Sequence, residues 1–224
     1  MNERIILNKY GEDILYLAIA KHFYSLSYSV GVKVKVNSEE ADVLCVKNSR
    51  VVIIEVKKFF SWNAWKNSLK YRDYCNELYF AAGAESFKES DSLLKQHIIE
   101  QLSQNGCGLI LVDFINSKLD FLIKPKSQTP TRTINSLSIR LQRRNWLKWC
   151  NLHFPWYINI NEENLLRFIQ KYKTVTKMEI LSLFDKKDQP KVFSLLDKLT
   201  SDGKLYKYYY PVSWRTRNEK NLSY

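Results

Sequence analysis

Residues 41–58, ADVLCVKNSRVVIIEVKK, constrain the fold more than any other stretch of this sequence. Two apolar runs, the second rich in β-branched residues, flank the polar segment Lys47-Asn48-Ser49-Arg50, a pattern that reads as a β-hairpin. With Asn48 and Ser49 as a two-residue turn, the ladder runs outward until Asp42 faces Glu55. Directly opposed residues hold their Cβ atoms about 5 Å apart on one face of the sheet. Lys57, two residues beyond Glu55, projects from that same face. Two carboxylates so close repel, raise one another's pKa, and are stable mainly with a cation between them. An all-oxygen site that retains waters suits Mg²⁺ or Mn²⁺. A neighbouring ammonium can orient the water that attacks phosphorus. Glu-x-Lys alone is weak, because it is often just an exposed ion pair; the Asp at the facing position gives it weight.

The elements around this hairpin read as one α/β module. Leu15, Ile19 and Phe23 share a face of a helix over 12–26, and Val30–Val36 and Ala41–Val46 are short strands. After the strand Val51–Lys57, the spacing predicts a helix over 62–78, a strand at Leu78–Ala82 and a helix over 88–104 ended by Asn105-Gly106. A hairpin of Gly108–Phe114 and Leu119–Ile123 closes the module, which spans residues 1–125. Residues 126–160 read as a basic linker with a helix around Ile134–Cys150.

Over 161–217 the pattern changes to three short helices and a hairpin. Leu165, Phe168, Ile169 and Tyr172 mark the first helix; Thr176 with Glu179 forms a capping box for the second; Asp188 ahead of Pro190 starts the third. Lys204–Tyr210 then alternates as a strand, with Trp214, Arg215 and Arg217 on its return and residues 218–224 as a tail.

Charge divides unevenly along the chain. The net charge is +12, yet residues 1–120 carry 15 basic and 15 acidic side chains, 121–161 carry seven basic and none acidic, and 162–224 carry 13 against eight. An excess confined to the C-terminal half points to a polyanionic partner. The longest apolar runs are strand length, which argues against a membrane partner. Met1-Asn2-Glu3-Arg4 leads into only three apolar residues, so no secretory segment is expected. Cys45, Cys75, Cys107 and Cys150 and the three histidines are scattered, which gives no zinc or disulfide framework and suits a cytoplasmic location. Gly-rich phosphate loops, H-E-x-x-H, G-x-S-x-G and kinase signatures are missing.

Asp42 in one strand, Glu55-Val56-Lys57 at the end of the next, a helix before and a helix after resemble the PD-(D/E)xK, or restriction-endonuclease-like, nuclease superfamily over residues 10–125. Ala41 stands where the family usually has Pro. The resemblance implies a mixed β-sheet core flanked by helices and a Mg²⁺-dependent deoxyribonuclease, an endonuclease that hydrolyses phosphodiester bonds in restriction, repair or transposition. It implies metal binding by Asp42, Glu55 and the Val56 carbonyl, with Lys57 positioning water and Glu12 as a further metal-linked carboxylate; for Glu12 a helix-dipole role is the plain alternative. Lys66 and Lys70 would meet phosphates of the cut strand, or simply line a solvated helix face.

The C-terminal pattern is similar to a winged helix-turn-helix domain. That likeness implies DNA contact by Lys191 and Lys198 on the third helix and by Lys207, Arg215 and Arg217 on the wing, with Arg140, Arg143 and Arg144 of the basic stretch adding to the surface. A winged helix also docks on proteins, which is the competing reading. Cleavage of both strands would suit a homodimer. The alternative function is a non-cleaving DNA-binding or regulatory protein that retains the nuclease fold.

Overall fold

The structure is a computed structural model and describes residues 3–60, 62–88, 90–113, 118–137, 140–141, 145–155, 159–184, 186–209 and 212–216. The chain is α/β and divides into two compact units, residues 2–148 and 149–224. Among the described residues, no helix is long and apolar enough to cross a membrane.

The first unit is a mixed six-stranded sheet flanked by helices. Its strands, β1 (Ser29–Val36), β2 (Glu39–Lys47), β3 (Arg50–Lys57), β4 (Glu77–Gly83), β5 (Gly108–Asp113) and β6 (Lys118–Ile123), lie side by side in chain order. β3, β4 and β5 run parallel to one another, while β1–β2, β2–β3 and β5–β6 are antiparallel. Central strands are covered on both faces, which is why Val51–Val56 and all of β4 are buried in unbroken runs. Helix α1 (Glu3–Tyr10) precedes α2 (Asp13–Ser25), whose Ile14, Leu15, Ile19 and Phe23 are buried.

Between β3 and β4 the expected helix over 62–78 splits. α3 (Trp62–Ser68) tightens into a 3-10 helix (Leu69–Tyr74), and the chain is extended by Cys75. The expected helix over 88–104 is found as α5 (Ser92–Gln104), started by the Asp91 carboxylate, which accepts from the Leu93 and Leu94 N–H groups; a short α4 (Ala84–Lys88) precedes it.

The stretch expected as a linker belongs to the first unit as far as residue 148. Its backbone is tied down: the Lys126 N–H donates to the Gly106 carbonyl, Gln128 to Asn76, and both Thr131 and Arg132 to Asp73. Ile134 and Leu141 are buried in the core with Trp65, Tyr71 and Phe80. Of the helix expected around Ile134–Cys150, Leu137, Arg140 and Leu141 are helical, with the Arg140 N–H donating to the Ser136 carbonyl, and Trp146–His153 forms α6; ahead of α6, Asn145 forms a bridge to Gly31 and caps the Leu147 N–H with its side chain.

The second unit contains α7 (Glu162–Tyr172), β7 (Thr174–Thr176), α8 (Lys177–Leu183), α9 (Gln189–Ser201), β8 (Leu205–Tyr209) and β9 (Val212–Thr216). The strands form an antiparallel sheet with β9 in the middle. Leu165, Phe168 and Ile169 of α7 and Val192, Leu196 and Leu199 of α9 are buried, as helical spacing requires. The capping box is present: the Glu179 N–H donates to Thr176 Oγ1 and the Thr176 N–H to Glu179 Oε2. Thr176→Ala is therefore expected to cost about 1 kcal/mol, read as a lower urea midpoint with an unchanged slope.

Candidate functional site

The site begins with two turns of identical sequence. Asn48 and Ser49 both take positive φ, 48° and 64°, as the tight turn that matches strand twist demands. The β2–β3 ladder then has the expected register, Lys47↔Arg50 through Val43↔Ile54. It ends one rung short of Asp42 and Glu55. Beyond that point the Val56 N–H donates to Asp42 Oδ2 at 2.8 Å, so the Asp42 carboxylate takes the place of a strand partner. Asn37-Ser38 is also a two-residue turn, joining β1 to β2 with Val36 paired to Glu39, but here Asn37 and not Ser38 takes positive φ. This ladder skips one rung, Lys33 and Asp42, and resumes with Val32↔Val43.

Asp42 and Glu55 are both buried, 3% and 8% exposed. Lys57 links them, its ammonium 2.7 Å from Glu55 Oε1 and 3.3 Å from Asp42 Oδ2, and it also donates to the Val56 carbonyl. The structure thus gathers Asp42, Glu55, Val56 and Lys57 at one point. Glu12 joins them from the start of α2. Its carboxylate makes no cap to its own helix; it accepts from the Tyr16 hydroxyl at 3.0 Å and from the Lys58 N–H at 3.3 Å. Tyr16 also reaches Asp42 Oδ1 at 3.4 Å. Tyr16 and Lys33 are members of this cluster that the sequence reading missed. Tyr16 follows Glu12 by one helical turn, and the Asn37-Ser38 register puts Lys33 across from Asp42, so both signals were available.

The electrostatics single out Glu55. Burial pushes the Glu55 carboxyl up, the Asp42 charge adds to this, and the Lys57 contact only partly opposes it. Burial alone would lower Lys57, but Glu55 and Asp42 outweigh it and leave the ammonium more firmly protonated than usual. Burial, then the Asp42 and Glu12 charges, push the Tyr16 hydroxyl far up, so it stays a hydrogen-bond donor. Asp42 is served on both oxygens, Oδ1 by Lys33 at 2.5 Å and by Tyr16, Oδ2 by Val56 and Lys57. Among the described residues, Glu55 Oε2 is buried without a hydrogen-bond partner.

Glu55 Oε2 is an oxygen that could serve a cation. A buried carboxylate oxygen with no donor is costly unless it is protonated or coordinates an ion. Asp42, Glu55 and the Val56 carbonyl make a sparse all-oxygen set; among the described residues, no cluster of three His, Cys, Asp or Glu side chains offers a dedicated cage. Such a set suits a small dication that keeps most of its waters.

The residues expected to meet DNA are placed less uniformly. Lys66 is exposed on α3, Lys70 pairs with Glu39 at 2.5 Å, and Arg140 is bonded to the Lys35 carbonyl. In the second unit Lys191 is exposed near the start of α9, whereas Lys198 pairs with Glu162, and Lys207 with Asp197 while lying over the Trp214 ring. Arg215 is half-buried in the central strand β9. Arg143, Arg144 and Arg217 lie outside the described residues. Lys186 and Lys187, not singled out from the sequence, are exposed just before α9, and among the described residues they and Lys191 carry no ion pair. Cys45, Cys75, Cys107 and Cys150 are free and buried.

No family model, curated protein or solved structure matches this chain.

Proposed function

We propose that the chain is a metal-dependent DNA endonuclease of the PD-(D/E)xK type, with a winged-helix unit that supplies DNA affinity. The observation that carries this reading is the buried Asp42–Glu55 pair, joined by Lys57, with Glu55 Oε2 left open. The element order supports it: a helix, three antiparallel strands, a helix, then a parallel strand. Three helices with a three-stranded sheet in the second unit support the winged helix.

Asp42, Glu55 and the Val56 carbonyl would hold Mg²⁺ or Mn²⁺. The bound ion would supply Lewis-acid polarisation of the phosphate and a lowered pKa for water. Lys57, kept protonated by its two carboxylate neighbours, donates hydrogen bonds that orient the attacking water and offset charge building on the phosphate oxygens. Tyr16 and the Val56 N–H fix the Asp42 carboxylate, and Glu12 fixes Tyr16. Substrate choice among restriction, repair and mobile-element roles is a property of the DNA-facing surface, not of this centre.

One observation favours the alternative of a non-cleaving DNA-binding protein: Lys33 and Lys57 already neutralise Asp42 and Glu55. Supercoiled plasmid incubated with Mg²⁺, Mn²⁺ or EDTA decides between them. Nicking or linearisation only with metal is the expected result; a gel shift with no cleavage under any condition overturns the nuclease.

DNA affinity is expected to rest on the unpaired lysines rather than on those already holding acids. Replacing Lys186, Lys187 and Lys191 together with Ala should reduce the salt slope of log K by about 3, one phosphate contact each. Lys198→Ala should change the slope less, since Glu162 competes for that ammonium. An unchanged slope in the triple variant would remove the start of α9 from the DNA interface and favour protein docking.

A further inference from the structure

Lys33 is unusual on two independent grounds. It lies in a strand with φ 54°, a conformation that residues bearing a Cβ seldom keep without compensation. Its ammonium lies 2.5 Å from Asp42 Oδ1 and 4.8 Å from the centre of the Tyr16 ring. The β1–β2 register is the same on either side of the skipped rung, so no residue is inserted there. The distortion interrupts the ladder at that rung and leaves the register unchanged.

We propose that Lys33 is a built-in counter-ion of the candidate metal site: its ammonium holds Asp42 Oδ1 while no divalent cation is bound and yields that oxygen when one binds. This rests on the metal-dependent reading above. A cation bridging the two carboxylates needs Glu55 Oε2, which is open, and a lone pair of Asp42, whose oxygens are both engaged. Of the donors on Asp42, the Val56 N–H is fixed by the backbone and Tyr16 is anchored on Glu12. Lys57 is held by Glu55 and the Val56 carbonyl as well. Lys33 has Asp42 as its hydrogen-bond partner and a side chain 29% exposed on a flexible stem. It is the donor free to move away. An ammonium and a dication a few ångströms apart repel, so Lys33 sets the free cation concentration at which the site fills.

The test is Mn²⁺ binding to the full chain, followed by electron paramagnetic resonance, with thermal melting in EDTA and in Mn²⁺ alongside. Lys33→Met is expected to bind Mn²⁺ about tenfold or more tightly than wild type. Its melting temperature should rise more on adding Mn²⁺ than that of the wild type. Lys33→Gly also relieves the positive φ and should share the tighter binding, so poor folding of the methionine variant would not mask the effect. Asp42→Asn should abolish binding. If both Lys33 variants bind no more tightly than wild type while Asp42→Asn loses binding, the counter-ion role is overturned and the metal site stands. If neither wild type nor any variant binds Mn²⁺, the metal-dependent reading falls, and the role of Lys33 falls with it.

Discussion

Asp42→Ala, Glu55→Ala and Lys57→Ala are each expected to lower metal-dependent plasmid cleavage by roughly three orders of magnitude or more. On the proposed reading the three side chains act as a unit: the carboxylates would provide the cation's protein oxygens, and Lys57 touches both. Losing any member removes either the ion or the group that orients water, so the single losses should not add in double variants. DNA affinity measured in EDTA should be retained, because the unpaired lysines at the start of α9 belong to the other unit. Cleavage at wild-type rates by any one variant would show that these residues are structural.

Stability should separate the two carboxylates. Asp42→Asn strips two ammoniums of a shared acceptor, at a cost of about 1–3 kcal/mol. Glu55→Gln removes a buried charge whose ion pair is with Lys57, and Lys57 keeps Asp42 and the Val56 carbonyl. Its stability in EDTA should be unchanged or higher by up to about 1 kcal/mol. The pH dependence has a definite sign. A carboxyl raised in the folded state contributes stability that is present below its unfolded value and lost as pH rises through the folded one. The advantage of Glu55→Gln over wild type should therefore grow as pH climbs from about 4. Mg²⁺ should raise the melting temperature of the wild type and of neither variant. Equal losses in both variants, with no response of the wild type to Mg²⁺, would mark an ordinary structural ion-pair cluster.

The hairpin was legible because its information is local. A two-residue Asn-Ser turn sets the register, strand alternation sets the face, and both depend only on neighbours in sequence. The same logic located the capping box at Thr176 and Glu179 and the helix stripes of the second unit. What escaped depended on contacts distant along the chain. Lys33 is the exception: the Asn37-Ser38 turn sets it opposite Asp42 by the same local rule, and only its left-handed φ is not written in residue type. The helix after β3 broke where Tyr71 and Cys75 are drawn into the core, and its periodicity carried no hint of that. The end of the first unit lay beyond residue 125 because Asp73 and Asn76 bind backbone groups some fifty positions later. Lys198 and Lys207 looked available for phosphate because Glu162 and Asp197 come near them only in the folded unit.

The paired Asn-Ser turns also bear on the order in which the protein is made. Lys33, Asp42, Glu55 and Lys57 come from two consecutive hairpins, so no distant segment is needed to bring them together. Hairpins close within about 1–10 μs. The ribosome adds only about 5–20 residues each second. Both hairpins can therefore close while residues 149–224, the second unit, are still to be translated. Both hairpins are thus complete in sequence on the nascent chain before the unit that carries Lys186, Lys187 and Lys191 exists. A change in the length of either turn would act at that earliest step, ahead of everything the rest of the sequence encodes.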